Sequence, residues 1–388
     1  MNQYLPHPKG TDLETSAFSH WEHSGFLTDI DTLIIGGGIV GLNAAIQRKK
    51  LAPNERVVVF EKAAFGFGGS TRNAGFACFG SPTEILSDLR NLSDEVVIRL
   101  IKMRWEGLNV MLETLGKSQV DYIHSGSVEL FTESESDLYQ EVKLKLDLLN
   151  EIASKAISHS PYVHTEASDL QQRYGFSRVL GGYENTEEGS IDTGKMFYSL
   201  RKKCLEIGIE MYHGIEVFSW KPGDRPEVKI ENETVQCSNL IICTNGFAKD
   251  LISDLDLSTA RNLVMITEPI PELKVNGTFH MNEGYVYFRN VGNRLLIGGA
   301  RHLDRDWMDR SSPPEEVSEY LKTLVSEVIL PNTKWTIDRQ WVGFLGVGSQ
   351  KTPIVEEVDK NVYLAVRMGG MGVAIGSLIG KTVAELLG

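Results

Sequence analysis

The sequence of 388 residues predicts a mixed fold, α/β in its first part and α+β further along. Residues 32–61 have the order strand, glycine-rich turn, helix and second strand, as in a parallel βαβ unit. An apolar stripe predicts a helix over 83–116, and a β-rich block runs from about 261 to 301. A chain of this length usually needs more than one hydrophobic core, so two domains are expected.

The turn in the βαβ unit carries glycines at G-x-G-x-x-G spacing: Gly36, Gly38 and Gly41. The first allows a tight turn, the second leaves room for a pyrophosphate, and the third lets the helix pack on the strand. The helix N-terminus adds unpaired N–H groups and the positive end of its dipole. The pattern predicts a dinucleotide site, although a glycine-rich turn of another α/β fold is the alternative.

Glu61 closes the second strand, where its carboxylate can accept hydrogen bonds from ribose hydroxyls and would repel a 2′-phosphate. A second loop, GSTRNAGF at 69–76, offers hydroxyls, amides and Arg72 to a pyrophosphate. An NAD site rarely needs this second loop, whereas the longer FAD does. A glycine cluster at 369–372 precedes the last helix, whose N-terminus would face an electron-rich group such as reduced flavin, unless small residues there serve only packing.

Composition excludes several classes of protein. The net charge of −13 argues against a general binder of nucleic acid or anionic membranes. The four cysteines lack C-x-x-C spacing, so no metal site is predicted. No apolar run is long enough for a membrane span, and the polar N-terminus lacks a secretory signal pattern, so a cytoplasmic protein is expected.

The ordered motifs, from GGGIVG and VVVFE through CTNGF and YVYFRNVGNRLLIGGA to GGMGVAIG, resemble the D-amino-acid-oxidase-like superfamily of FAD proteins, which includes glycine, sarcosine and γ-glutamylputrescine oxidases. The resemblance covers nearly the whole chain. It implies a Rossmann-like FAD-binding domain interleaved with an antiparallel-sheet substrate domain. The expected segments are 1–90 with the N-terminal lead-in, 181–250 and 341–388 for the FAD domain, and 91–180 and 251–340 for the substrate domain.

The activity implied by this resemblance is oxidation of a C–N bond in an amine or amino acid, with hydride transfer to flavin N5 and hydrolysis of the resulting imine. The electron acceptor is O2 or another molecule. The predicted cofactor-binding residues are Gly36, Gly38, Ile39, Val40, Gly41, Glu61, Lys62, Gly69, Ser70, Thr71, Arg72, Asn73, Ala74, Gly75, Phe76, Val217, Thr244, Gly246, Gly343, Gly370, Met371, Gly372 and Val373.

The chain departs from its relatives at three positions. The carboxylate-binding arginine of glycine oxidases is missing after Trp341-Val342-Gly343, and Leu296 stands where sarcosine oxidases have an oxygen-activating lysine. No cysteine occurs in LGVGSQKT, where sarcosine oxidases attach flavin, so non-covalent FAD is expected. A dehydrogenase of the same fold and a non-catalytic flavin-bound subunit therefore stay open as alternatives.

Four residues are the candidates for catalysis and substrate binding: Tyr285, Tyr287, Arg289 and Arg301. The resemblance puts Tyr285 over the substrate, and strand alternation puts Tyr287 and Arg289 on one face. Arg301 could replace the missing carboxylate-binding arginine, with His302 pointing the other way. Alternatively, Arg289 and Arg301 pair with acids of the following run, Asp304, Asp306 and Asp309.

Overall fold

A computed structural model describes residues 18–304 and 315–387, so the lead-in before residue 18, Asp306 and Asp309 lie outside the described residues. The helices are α1 (His20–Phe26), α2 (Ile39–Leu51), α3 (Gly69–Arg72), α4 (Pro82–Leu89), α5 (Asp94–Leu115), α6 (Ser136–Ile157), α7 (Ala167–Tyr174), α8 (Thr193–Glu206), α9 (Glu315–Leu324) and α10 (Gly372–Glu385).

The strands are β1 (Ile30–Ile35), β2 (Val57–Glu61), β3 (Phe76–Ala77), β4 (Ser127–Thr132), β5 (Tyr162–Glu166), β6 (Val179–Asn185), β7 (Gly189–Ser190), β8 (Glu210–His213), β9 (Val217–Lys221), β10 (Glu227–Ile230), β11 (Glu233–Ile242), β12 (Ser258–Thr267), β13 (Thr278–Met281), β14 (Val286–Val291), β15 (Arg294–Gly299), β16 (Ile337–Val347), β17 (Ile354–Asp359) and β18 (Val362–Val366).

The first sheet has the order β17-β18-β11-β1-β2-β8 and is parallel from β18 to β8, with β9 and β10 added to β11. Its central strand β1 is buried at five of six positions, as expected for a parallel strand covered on both faces. Helices α2 and α10 cover one face and pack closely, because a Cβ on Gly380 would lie 2.3 Å from the Val40 carbonyl oxygen.

The second sheet has the order β16-β12-β15-β14-β13-β4-β6-β5 and is antiparallel except where β13 pairs with β4. One face carries Phe279, Phe288 and Ile297 into a core shared with α9. The opposite face turns toward the first sheet and bears the candidate site residues. The predicted fold class is confirmed by these two large sheets and their helices.

Three boundaries differ from the sequence prediction. The helix expected over 83–116 is two helices: the second begins after Ser93, which makes no side-chain cap hydrogen bond, and has Asp94 and Glu95 in its first turn. Strand β6 stays in the second sheet past 180, and β16 stays in it past 340. Within the described residues, no helix has the length and apolar character needed to cross a membrane.

Candidate active site

The glycine-rich turn joins β1 to α2 and fits only glycines at two positions. Gly36 has φ +105°, and its Cβ would lie 2.7 Å from the Cys243 carbonyl oxygen. A Cβ on Gly41 would lie 2.0 Å from the Gly36 carbonyl oxygen. Gly38 caps α2 without a side-chain hydrogen bond, and the Ile39 N–H donates to Ser70 Oγ over 2.9 Å. The predicted residues Gly38, Ile39 and Ser70 therefore meet at one helix N-terminus.

Glu61 faces the same turn. Its Oε2 accepts the Gly37 N–H at 2.9 Å and its Oε1 accepts the Ala63 N–H at 2.8 Å. The Ile215 N–H donates to the Glu61 carbonyl oxygen at 3.1 Å, which brings the chain leading to Val217 beside the end of β2. Lys62 is mostly exposed and pairs with Glu216. Glu61 and the segment that leads to Val217, both predicted to contact the adenosine, are therefore adjacent.

The loop 69–76 is braced by its own side chains. Asn73 Nδ2 donates to the carbonyl oxygens of Gly69 and Ser70, while its Oδ1 accepts from the Gly75 N–H. Thr71 donates its hydroxyl to the Gly66 carbonyl oxygen. These bonds hold the short helix α3 and the following turn in one conformation.

Arg72, predicted to contact the pyrophosphate, also makes contacts within the protein. Its guanidinium donates to the Val342 carbonyl oxygen at 2.8 Å and lies 3.6 Å from the ring centre of Phe67. Burial lowers its pKa. The arginine therefore ties the loop to β16, and protein groups already occupy part of its hydrogen-bonding capacity.

Two further places suit the polar groups of a ligand. Beside the glycine-rich turn, next to Gly36, Thr244 Oγ1 is buried without a hydrogen-bond partner. Before the last helix, a Cβ on Gly370 would meet no heavy atom within 4 Å. Helix α10 begins after Met371 without a side-chain cap, so its first N–H groups are available. A buried hydroxyl, an open backbone and a bare helix N-terminus suit the polar groups of a flavin nucleotide.

A cavity of about 640 Å³ lies between the two sheets. That volume is within the range of small-molecule sites. Of the predicted residues, those that line it are Gly69, Arg72, Asn73, Ala74, Phe76, Tyr285, Tyr287, Arg301, Gly343, Gly370, Met371 and Val373. The loop 69–76, the candidate substrate residues and the start of α10 therefore share one cavity.

Tyr287 lies on the second sheet above this cavity. Because Gly298 has no side chain, the tyrosine ring can lie over it: a Cβ there would be 2.8 Å from the ring. The ring also contacts Phe76, with centroids 5.4 Å apart. Burial raises the pKa of Tyr287 to about 12, so the phenol stays protonated at neutral pH. Leu296 packs with Ala74 in the same cluster.

Arg289 shares the strand face of Tyr287 but does not line the cavity. It is buried, and its guanidinium donates to the Ile191 carbonyl oxygen at 2.9 Å, beneath Gly75. Burial lowers the pKa of Arg289 to about 10, which leaves it charged at neutral pH. Its position supports the loop beside the cavity rather than a direct contact with substrate.

Arg301 lines the cavity and stacks on Tyr285, with its guanidinium carbon 4.9 Å from the ring centre. Ala300 has φ +58° and ends the strand alternation, so His302 does not point away as predicted. It contacts the same tyrosine, with ring centroids 5.0 Å apart. Tyr285 is thus held between a cation and an imidazole at the cavity edge.

The alternative pairing of these arginines with Asp304 is wrong. Asp304 accepts from Arg261 Nε at 2.7 Å and from its Nη2 at 3.0 Å, and both side chains are buried. A bidentate pair of this kind occupies both carboxylate oxygens. No ion pair is found for Arg301 with any residue in 18–304 or 315–387.

Sequence reasoning missed two polar residues of the cavity roof. Asn262 Oδ1 and His280 Nε2 are both buried without a hydrogen-bond partner, and both residues line the cavity. An unsatisfied buried polar atom typically costs about 1–3 kcal/mol, so such atoms are uncommon outside ligand sites. They lie on β12 and β13 without a motif that marks them in the sequence.

Comparison with known proteins identifies relatives in sequence and in fold. The chain is 22% identical to the probable oxidoreductase OrdL of Haemophilus influenzae over all of this chain and 88% of that protein. It is 24% identical to γ-glutamylputrescine oxidoreductase of Escherichia coli over 92% of this chain and 83% of that protein. The structure of iminodiacetate oxidase from Chelativorans sp. BNC1 superposes with a TM-score of 0.75 at 16% identity, covering 92% and 95% of the two chains.

One family model matches nearly the whole length of the chain. Residues 31–386 match the family model described as FAD dependent oxidoreductase. This match includes the glycine-rich turn, the loop 69–76 and the start of α10, and it confirms the superfamily suggested by the motifs. The chain therefore belongs to the family of FAD-dependent oxidoreductases.

Proposed function

We propose that this protein oxidises the C–N bond of an amine that also carries an anionic group, with non-covalent FAD as the oxidant. The observation that carries the proposal is Arg301, a cation on the wall of the cavity that also contains Phe76 and Tyr287. Its planar guanidinium can bind a carboxylate or phosphonate through two hydrogen bonds. Stacking on Tyr285 fixes the orientation of the guanidinium.

The chain's own residues would hold the cofactor at three places. Glu61 and the turn at Gly38 suit the adenosine half, loop 69–76 suits the pyrophosphate, and the bare N-terminus of α10 suits the flavin end. The chemistry that FAD would supply there is acceptance of a hydride from the carbon next to the substrate nitrogen. The cavity's task is to orient that carbon and to favour the neutral amine, whose pKa burial lowers.

A dehydrogenase with an acceptor other than O2 is the second candidate. It is favoured by Leu296, an apolar side chain packed on Ala74, where related oxidases have a lysine. The two candidates differ in the rate at which air restores the yellow colour of a bleached flavin. Fast reoxidation supports an oxidase, and slow reoxidation supports a dehydrogenase.

The experiment is an anaerobic screen for flavin bleaching. The purified protein is mixed with glycine, iminodiacetate, 4-methylaminobutanoate, γ-glutamylputrescine and alkylamines of equal length that lack an anionic group. We expect bleaching by an anionic amine and release of free FAD into the supernatant after acid precipitation. Bleaching by no amine would contradict the proposed reaction, and flavin retained in the pellet would contradict non-covalent binding.

Arg301→Ala tests the anion site. We expect a KM for the anionic amine at least tenfold higher, because a bidentate charged contact is worth roughly 1.5–3 kcal/mol. FAD content should be unchanged. The matched control is Arg294→Ala, an arginine of the same sheet that is paired with Asp338 and does not line the cavity. Unchanged kinetics in the Arg301 variant would remove this residue from the site.

A further inference from the structure

His280 belongs to a buried group that the sequence did not reveal. Its imidazole, the Cys78 thiol and the Glu188 carboxylate come from three distant segments, with one polar atom of each within 4.8 Å of the others. All three residues are buried, and Cys78 and His280 line the cavity. Such convergence beside Phe76 and Tyr287 places titratable groups next to the expected position of the substrate.

Glu188 is held as a hydrogen-bond acceptor. Its Oε1 accepts from the N–H groups of Phe79 and Gly80 at 2.7 and 3.0 Å, and Ser127 Oγ donates to its Oε2 at 2.5 Å. Two of the three donors are backbone N–H groups, which cannot accept a hydrogen bond, so Oε1 is held as an acceptor. The side chain is fully buried, so the group is rigidly placed.

The carboxyl group of Glu188 lies close to the imidazole of His280. His280 Nε2 lies 3.9 Å from Glu188 Oε2 and has no hydrogen-bond partner. A negative charge at this distance favours a proton on Nε2 and leaves the lone pair on Nδ1. The ring edge packs on Phe76, with centroids 5.2 Å apart, which restricts its rotation.

The other groups near His280 do not compete for this role. Burial and the nearby Glu188 raise the pKa of Cys78 well above its usual value, so the thiol stays neutral. Tyr287, across the strand pair, also stays neutral. Glu129, which pairs with His280 from the neighbouring strand β4, is protonated at neutral pH because burial raises its pKa to about 8. Arg289 lies two positions from Tyr287 and donates to Ile191.

We infer that His280 is the residue that takes the proton from the substrate ammonium group, with Glu188 as its positioning residue. The N–H bond of the ammonium breaks, its electron pair stays on nitrogen, and a new N–H bond forms at Nδ1. The imidazolium is stabilised by the Glu188 carboxylate. The free electron pair on nitrogen can then form the C=N bond as the neighbouring C–H bond breaks, and the hydride goes to the FAD of the proposed function, which leaves an iminium ion. This inference rests on the proposed amine oxidation.

The test is the rate of anaerobic flavin bleaching in His280→Ala at pH 7, with the amine found in the screen at saturation. We expect a rate lower by about 100-fold, the usual effect of losing a positioned base. Added imidazole should restore the rate at least tenfold by entering the space left by the ring. Substituted imidazoles of higher pKa should restore it further, because proton transfer follows basicity. A purely structural role would not produce that dependence.

The matched control is His164→Ala, because His164 lies on β5 of the same sheet, bonds to Tyr139 and does not line the cavity. Its rate should stay near that of the wild type and should not respond to imidazole. Bleaching by His280→Ala within threefold of the wild type would overturn the inference, as would a slow yellow variant that no imidazole accelerates.

Two further outcomes are decisive. If His280→Ala does not fold, His280→Gln retains most of the volume, and a rate within threefold of the wild type overturns the inference. If the wild type itself is bleached by no amine, the proposed function fails and the role of His280 falls with it. A bleached wild type with an unaffected His280 variant contradicts the role of His280 alone.

Discussion

Glu129 makes the stability of this protein depend on pH in a direction opposite to that of most acids. The side chain is fully buried, and it accepts hydrogen bonds from the hydroxyls of Ser81 and Thr83 and from the Thr83 N–H. Burial is the main cause that raises its pKa from 4.5 to about 8, against these hydrogen bonds, which lower it. The folded protein therefore holds this proton at neutral pH, and the unfolded chain releases it.

Proton linkage gives the direction and the size of this pH dependence of stability. Between pH 4.5 and about 8 the folded state binds more protons than the unfolded state at this site, so stability falls as pH rises. From pH 5 to 7.5 the loss is about 3 kcal/mol, since each pH unit in this window costs about 1.4 kcal/mol. Below the unfolded-state pKa the contribution is constant.

Glu129→Gln removes this dependence. The amide is neutral at every pH, and its NH2 can donate to the two hydroxyls while its oxygen accepts the Thr83 N–H. Urea unfolding of both FAD-loaded proteins at pH 5 and 7.5 measures the effect. We expect the free energy of unfolding of the variant, minus that of the wild type, to increase by about 3 kcal/mol from pH 5 to pH 7.5. Taking this difference cancels the titration of all other groups.

The control is Glu106→Gln, which changes an exposed acid on α5 that lies near Lys102. Its difference from the wild type should be small, about 0.5 kcal/mol or less, at both pH values. If the Glu129→Gln difference is equally flat, the carboxyl is ionised in the folded protein and the reasoning from burial is refuted.

Two predictions concern cofactor binding. Gly38→Val should give a colourless protein that takes up no FAD. A Cβ at this position would lie 2.8 Å from Ser70 Oγ, and the branched side chain would fill the approach to the N-terminus of α2. A variant purified yellow would contradict the assignment of this turn to FAD. Thr244→Val should leave the unfolding free energy of the flavin-free protein unchanged, because its hydroxyl has no partner to lose, yet raise the Kd for FAD about tenfold. Flavin titration and urea unfolding measure both quantities, and equal FAD affinity would show that the Thr244 hydroxyl does not contact the cofactor.

The nucleotide-binding turn was predictable because its determinants are local. Gly36 and Gly41 are required by contacts within a single βαβ unit and its neighbouring strand, and Glu61 follows on the next strand. A short stretch of sequence therefore contains the whole pattern. The helix break at Ser93 was less visible, because apolar periodicity continues across it.

The cavity roof was only partly predictable, because its geometry depends on distant segments. Strand alternation correctly predicted that Tyr287 and Arg289 share one face of the sheet. It did not show that the Arg289 guanidinium packs beneath Gly75 and donates to Ile191, away from the cavity. The left-handed conformation of Ala300 broke the alternation that was used for His302. His280 and Glu188 carry no shared motif, and their segments meet because β4 pairs with β13 on one side and with β6, which precedes Glu188, on the other.

The interleaving of the two sheets has a consequence for limited proteolysis. Chain segments of the first sheet alternate with those of the second, and β1 pairs on one side with β2 and on the other with the distant β11. Cleavage of one surface connection therefore leaves both fragments bound to each other by strand pairing on two sheets. A nicked protein should elute at the size of the intact one and separate only in denaturant, so the two domains are not separable units for expression.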